Sequence, residues 1–370
     1  MLPAHPSDSQ GHYWTILPQE TRARAADYLI ALQAKTAKPG SHLQRQLHNA
    51  QLSAMGELDL LGRLCDTKQP QIFAEMAVVG DGSDWNRTEL SLLGDLSIAV
   101  PVTIFDDGHH STPKVHLPPF AGVLIFTPGA LLRNGQDQTP ADWDDVVHPN
   151  GQLSAEGYYR LYRRRLLPVL QAINAYAGKA RSAFVTVPGL GCGQFAGRFR
   201  GQLGQQLQAV LERLLGECGA SLPNLKAVYF DPYREGRNER QEIHGISLLV
   251  RPLGVAGNGS KPQLCRPAHY AEDNDDFADC LLCSIVAWDP VSWPGNDFYL
   301  GSRSTDDGVK AAATNAMAVI TGIEGSYNSE CCHYQPPAPY STWEEVVHDR
   351  QRQHHLRLWR PPQVVVSACR

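Results

Sequence analysis

The chain has 370 residues, 42 % of them hydrophobic and 19 % charged, with 38 acidic against 33 basic side chains and a formal charge of −5. That is apolar material for one large α/β domain or two ordinary ones, and the mild acidity offers no basic field to attract nucleic acid. No apolar run reaches the roughly 18 residues of a membrane span, and the opening MLPAHPSDSQGHYW lacks the basic-then-apolar pattern of a classical signal peptide, so a cytoplasmic location is expected.

Residues 1–94 read as a helical N-terminal extension. PQETRARAADYLIALQAKTA opens with Pro18 and Glu20 and stops before Pro39-Gly40. HLQRQLHNAQLSAMGELDLLGRLCD then places Leu43, Leu47, Leu52, Met55, Leu58 and Leu61 at helical spacing. This extension would cap the sheet of a second unit, residues 95–370, or bind a partner. From Asp95 strands alternate with helices. DLSIAVPVTIF is β-rich, with Pro101 pointing to an edge position or a bulge. FAGVLIF (120–126) is a compact buried strand, a helix starts after Ser154, and AFVTV is followed by a helix from about Ala196 to Cys218. LKAVYF, IHGISLLV and CLLCSIVAW read as strands, 307–321 and 342–357 as helices, and QVVVSA as the last strand. Such alternation predicts a three-layer α/β fold, a mixed and mainly parallel sheet flanked by helices.

Nine cysteines scattered over this length do not make a disulfide framework. Cys280 and Cys283 have C-x-x-C spacing, but positions i and i+3 of a strand face opposite ways. Buried reduced thiols are the favoured reading; a zinc site completed by Cys331, Cys332 and His333 is the lesser one. Asp106-Asp107-Gly108-His109-His110 has metal-ligand residue types and reads as a hydrophilic turn.

Two segments concentrate chemistry. In AWDPVSWPGNDFYLGSRSTDDGVKA (287–311), Asp289 ends a strand, Asp297 lies in the next loop, and Asp306 and Asp307 start a helix behind Thr305. Open α/β sheets bind ligands at the carboxyl ends of their strands. In FVTVPGLGCGQFAGRFRGQL (184–203), a strand breaks at Pro188 into a loop carrying Gly189, Gly191, Gly193 and Gly197. Main-chain N–H groups of such a loop can close around phosphate oxygens. The spacing is neither the Rossmann G-x-G-x-x-G nor a P-loop, and tight strand-to-helix turns collect glycine as well.

Together the two segments resemble the macrodomain fold, and most closely its divergent MavL-like effector branch, which is similar to poly(ADP-ribose) glycohydrolase. The resemblance covers Phe184 to Gly322 and implies an ADP-ribosylhydrolase. Pro188–Gly197 looks like its diphosphate loop, which implies ligand contacts from Gly189, Gly191, Cys192, Gly193, Gln194 and Phe195. Trp288–Gly308 looks like the other ligand loop, with Asn296, Phe298, Ser302 and Thr305 as further contacts. The spacing Asp289, Asp297, Asp307 matches the acids expected of that branch. Here the diphosphate-like loop comes first in the chain, and Asp289-Pro290 stands where ordinary macrodomains have asparagine. The paired glutamates of the glycohydrolase signature are absent, so cleavage of polymer is not expected.

Water attacking an anomeric carbon needs negative charge beside the ribose and donors further off at the diphosphate. Asp289, Asp297 and Asp307 are the candidate catalytic acids. Their charge favours a cationic leaving group, and so arginine-linked ADP-ribose. The resemblance implies ADP-ribosylated ubiquitin as a candidate substrate and delivery into a host cell as an effector. ADP-ribose is the expected ligand, with no cofactor required and neither nucleic acid nor membrane as partner. The alternative function is a non-catalytic ADP-ribose reader.

Overall fold

The structure, a computed structural model, describes residues 13–73, 84–134, 138–178, 181–359 and 364–367. In chain order the first part supplies β1 (Trp14–Pro18), α1 (Gln19–Gln33), α2 (Ser41–Leu47), α3 (Glu57–Cys65) and α4 (Arg87–Gly94). Then come β2 (Ser97–Asp106), β3 (Val115–Pro128), α5 (Trp143–Val146), α6 (Ala155–Ala177), β4 (Ala183–Pro188) and α7 (Leu203–Cys218). β5 (Leu225–Asp231), β6 (Glu239–Ile243), β7 (Ile246–Val250) and β8 (Leu281–Trp288) follow, with α8 (Asp306–Ala312), α9 (Ala316–Thr321), β9 (Ser326–Asn328), β10 (His333–Gln335), α10 (Trp343–His354) and β11 (Val364–Ser367) last.

Nine strands form one sheet in the order β11-β1-β2-β3-β8-β4-β5-β7-β6, while β9 and β10 make a separate hairpin. The ladders β1–β11, β3–β8, β8–β4, β4–β5 and β5–β7 are parallel, and β1–β2, β2–β3 and β6–β7 are antiparallel. The sheet is therefore mixed and its centre is parallel, as the alternation of strand and helix signals predicts.

Parallel strands need cover on both faces, and the side chains divide accordingly. Val185, Val187, Val228, Phe230 and Ile285 meet Leu166, Leu170, Leu207 and Leu211 of α6 and α7. On the other face Phe184, Ala227, Tyr229, Leu282 and Val286 meet Ala311, Met317 and Val347 of α8, α9 and α10. Each fully buried aliphatic or aromatic side chain contributes about 1.5–3 kcal/mol. A third cluster joins α1, α3 and α4 to Leu17, Leu131, Val291 and Trp359.

Five readings need correction. IHGISLLV is not one strand: it turns at His244-Gly245 between β6 and β7. The segment 1–94 is not wholly helical among its described residues: Trp14–Pro18 is a strand inside the sheet, between β2 and β11. Pro101 is not on an edge strand, because β2 lies between β1 and β3. It is tolerated because β1 pairs only with Ser97–Ala99, so the stretch of β2 beyond has no strand on that side. There Asn315 Oδ1 accepts the Thr103 N–H at 2.7 Å, and the Ala313 carbonyl accepts that of Phe105 at 2.9 Å. The same contacts split the expected helix 307–321 into α8 and α9 around Thr314, which bridges to Ile104. The expected helix 196–218 is a short 3-10 turn, Gln194–Phe199, followed by α7 proper.

Candidate functional site

The two segments singled out in the sequence flank one crevice. β8 and β4 pair only as far as Ser284 and Thr186, while β8 runs on beside β3 to Trp288 and β4 runs on beside β5 to Pro188. After β8 the chain passes to α8 on one face of the sheet, and after β4 to α7 on the opposite face. Adjacent parallel strands whose continuations diverge in this way leave an opening at their carboxyl ends, the usual ligand position in such sheets.

The acidic lip is a self-built loop. Asp289 Oδ1 accepts the N–H groups of Val291 (2.9 Å) and Ser292 (2.8 Å), and its Oδ2 accepts Ser292 Oγ (2.9 Å) and Asn296 Nδ2 (2.7 Å). Asp297 accepts the Ser304 N–H at 2.9 Å, the Thr305 N–H at 3.2 Å and Thr305 Oγ1 at 2.5 Å. Thr305 also caps α8 by accepting the Gly308 N–H at 3.0 Å. Asp307 Oδ1 accepts the Gly295 N–H at 2.7 Å, and its Oδ2 is buried without a partner. All three acids are buried, so short polar links replace the water that each carboxylate would otherwise require. Burial pushes the Asp289 carboxyl up to about 6, against the pull of its donors and of Lys68. Burial, and then the neighbouring Asp289, Asp297 and Asp306, raise Asp307 well above the usual carboxylate range despite the Gly295 bond.

Of the other expected contacts, Asn296 is buried between Asp289 and the Ile72 N–H, which its Oδ1 accepts at 3.1 Å. Phe298 is buried against His333, 5.5 Å between ring centroids. Ser302 shares a hydrogen bond with Ser304, 2.7 Å apart. The acidic lip therefore brings Asp289, Asn296, Asp297, Thr305 and Asp307 together.

The glycine lip packs backbone on backbone. A Cβ on Gly129, just beyond β3, would fall 2.2 Å from Gly191 N, and one on Gly191 (φ +70) would fall 2.7 Å from Ala130 N. Tyr162 of α6 ties these loops, accepting the Ala130 N–H at 3.0 Å and donating to the Leu190 carbonyl at 2.6 Å. Buried Arg165 donates to the Gly129 carbonyl at 2.8 Å. Cys192 is buried, its thiol pushed up by burial. Phe195 packs against the third cluster. Gly193 and Gln194 are exposed, and a Cβ on Gly193 would meet nothing within 4 Å. Gly189 lies beside Pro232, after β5. The N-terminus of α7 is not free for a phosphate, because Glu235 accepts the Gly204 N–H at 2.6 Å.

Several residues escaped the sequence reading. Lys310 is buried with its Nζ donating to Ile285 O (2.7 Å), Gln263 Oε1 (2.7 Å) and Asp306 Oδ2 (3.1 Å). Gln263 Nε2 reaches Asp231 Oδ2 at 3.2 Å. Asp306 also accepts the Ala287 N–H at 2.8 Å, and 23 % of its side chain is exposed. Its i,i+4 spacing from Lys310 was the available signal. Lys68 gave none. It is buried over the Trp288 ring, 4.1 Å from the centroid, and donates to the Pro290 carbonyl at 2.5 Å. Around it Gln69 bridges to Ser292, and the Lys68 carbonyl accepts Trp293 Nε1 at 3.2 Å. Arg303 clasps Asp106, with Nη2 at 2.6 Å from Oδ1 and Nη1 at 2.9 Å from Oδ2. That clasp draws the Asp106–His110 turn against the acidic loop. Among the described residues no group of three or more His, Cys, Asp or Glu could hold a metal ion, and no helix is long and apolar enough to cross a membrane.

The family model for the macrodomain effector MavL matches residues 13–340. A search of curated proteins finds no match.

Proposed function

The chain belongs to the MavL family of macrodomain effectors, and from that premise we propose that it hydrolyses ADP-ribose from modified protein side chains, with arginine-linked ADP-ribose as substrate. The crevice between β8 and β4 carries this reading, because it sets a glycine loop on one lip and an acidic loop on the other. A diphosphate calls for donors and no nearby carboxylate, which suits the exposed main chain at Gly193 and Gln194. A ribose that gains positive charge during bond cleavage calls for the reverse, which suits the lip built from Asp289 to Asp307.

Asp289 and Asp297 hold the acidic lip in shape. Asp307, whose carboxyl burial raises, keeps one buried oxygen uncommitted and is assigned as the protonated, charge-neutral member of the acidic cluster. Water is the only co-substrate, and no cofactor is invoked. Modified ubiquitin is the candidate protein substrate, and the inside of a host cell, reached as an effector, is the proposed place of action.

The test is release of free ADP-ribose from arginine-ADP-ribosylated ubiquitin, with serine- and glutamate-linked substrates in parallel. Release from arginine alone supports the reading. Release only from the other linkages overturns the arginine assignment. Saturable ADP-ribose binding by calorimetry without release from any of them makes the protein a reader.

A further inference from the structure

The reading above leaves one acid of the loop without a task. We propose that Asp306 is the catalytic carboxylate, the group that touches the attacking water and the ribose in the crevice between β8 and β4. This rests on the hydrolase reading and adds the residue that meets the substrate.

Asp289 and Asp297 are closed in on donors of their own loop, and Asp307 is buried beside Gly295. Asp306 differs in two ways. Part of its side chain is open to solvent, and only its Oδ2 is committed, to the Ala287 N–H and to Lys310 Nζ. Among the described residues Oδ1 takes no hydrogen bond, so it is the carboxylate oxygen of this loop that a ligand can reach.

The sheet fixes where that oxygen sits. Beyond Ser284, β8 has no partner in β4, and two of its main-chain groups, the Ile285 carbonyl and the Ala287 N–H, are taken by Lys310 and Asp306 instead. These two side chains therefore occupy the place of a missing strand neighbour, at the crevice. Lys310 is 2 % exposed with three acceptors for its three N–H donors. It has nothing left for a ligand and acts as a positioning residue. Gln263 continues the row to Asp231 at the end of β5, so the placement of Asp306 is braced from a second strand of the sheet.

In the step assigned here, the water oxygen bonds to the anomeric carbon while Asp306 Oδ1 takes a water proton. The carbon–nitrogen bond breaks with its electron pair passing to the guanidino nitrogen, which then receives the proton from Asp306. The products are ADP-ribose and the unmodified arginine side chain, and Asp306 returns to its starting state.

Asp306→Asn keeps an acceptor for the Ala287 N–H and for Lys310 but removes the carboxylate that pairs with this buried ammonium, so the fold is retained at some loss of stability. Release of ADP-ribose is expected to fall about 100-fold or more, with ADP-ribose affinity by calorimetry unchanged although the melting temperature falls. Asp306→Glu, with its carboxylate one methylene further out, is expected to recover part of the rate. Native-rate release by Asp306→Asn overturns the assignment alone. Parallel loss of rate, affinity and melting temperature also overturns it, because the side chain would then be serving the fold. No release by the unaltered protein overturns the hydrolase reading along with it.

Discussion

Gly308 is the position where one added methyl group tests the acidic loop most directly. It is the third residue of α8, and a Cβ there would lie 2.0 Å from Asp297 Oδ1, 2.6 Å from its Cγ and 2.8 Å from its Oδ2. In Gly308→Ala the Asp297 carboxylate must therefore retreat by more than about 1 Å, since real Cβ contacts lie beyond roughly 3.4 Å. It now holds the Ser304 N–H, the Thr305 N–H and Thr305 Oγ1. A retreat of that size breaks at least two of the three. Hydrogen bonds to a charged group are worth about 1.5–3 kcal/mol each, so the loss is about 3–6 kcal/mol. Replacing a helical glycine by alanine returns about 1 kcal/mol, leaving a net destabilisation of about 2–5 kcal/mol. At roughly 2 °C per kcal/mol for a chain this long, the melting temperature should fall by about 4–10 °C. Calorimetric melting of Gly308→Ala beside the native protein measures this. Gly259→Ala is the control, because a Cβ there meets nothing within 4 Å. A Gly308→Ala protein melting within about 1 °C of the native one, or above it, would refute the packing argument.

Three further outcomes are expected. Because burial holds the Asp289 carboxyl near 6, above its unfolded value of 3.8, the folded state binds more protons than the unfolded state between those values, and the contribution of this group to stability declines as pH rises from about 4 to 6. Asp289→Asn should thus gain stability relative to the native protein across that range in denaturant titrations, and a pH-independent difference would contradict the linkage. Arg165→Met takes from buried Asp142 its cation at 2.8 Å and frees the Gly129 carbonyl, while Asp95 loses a contact at 3.1 Å but keeps Arg24 and Arg164; a loss of about 3–5 kcal/mol is expected from unfolding curves, and a change under 1 kcal/mol would be too small for this network. Limiting iodoacetamide should alkylate exposed Cys331 and spare Cys192 and Cys283, which are buried with raised thiols; peptide mapping that finds Cys192 modified as fast as Cys331 would mean that the glycine loop opens in solution.

The central sheet was legible because its strands are continuous apolar runs between turn signals. AFVTV and CLLCSIVAW became β4 and β8 almost to the residue, and the opposite faces expected of Cys280 and Cys283 appear in the two cores they join. β1 was not legible: WTILP is buried at all five positions and has no period to distinguish it from the helix start that follows. Its partners in β11 lie some 350 residues further on. IHGISLLV is a turn and a strand, because His244 and Gly245 both have positive φ (52 and 77) and close the β6–β7 hairpin. The break between α8 and α9 comes from β2, through Thr103 and Ile104, and nothing in an alanine-rich run announces it.

At the site, residue types and strand ends were readable, since acids and glycines stand out where packing has no use for them. The direction of each carboxylate was not. Asp289 and Asp307 face inward because of N–H groups two to twelve residues away, and Asp306 faces a crevice that exists only because β4 and β8 part company.

The strap from Lys68 to Ile72 has a consequence for anyone moving this loop elsewhere. Residues 288–308 look like a portable module, short and rich in their own hydrogen bonds. Yet the Pro290 carbonyl, Trp293 Nε1 and Asn296 Oδ1 each find a partner more than 220 positions earlier in the chain. A graft of the acidic loop onto another sheet would arrive with these three polar groups orphaned and with Trp288 lacking its cation. The loop and the strap must be transplanted together, and in a diverging lineage they are constrained to drift as a pair.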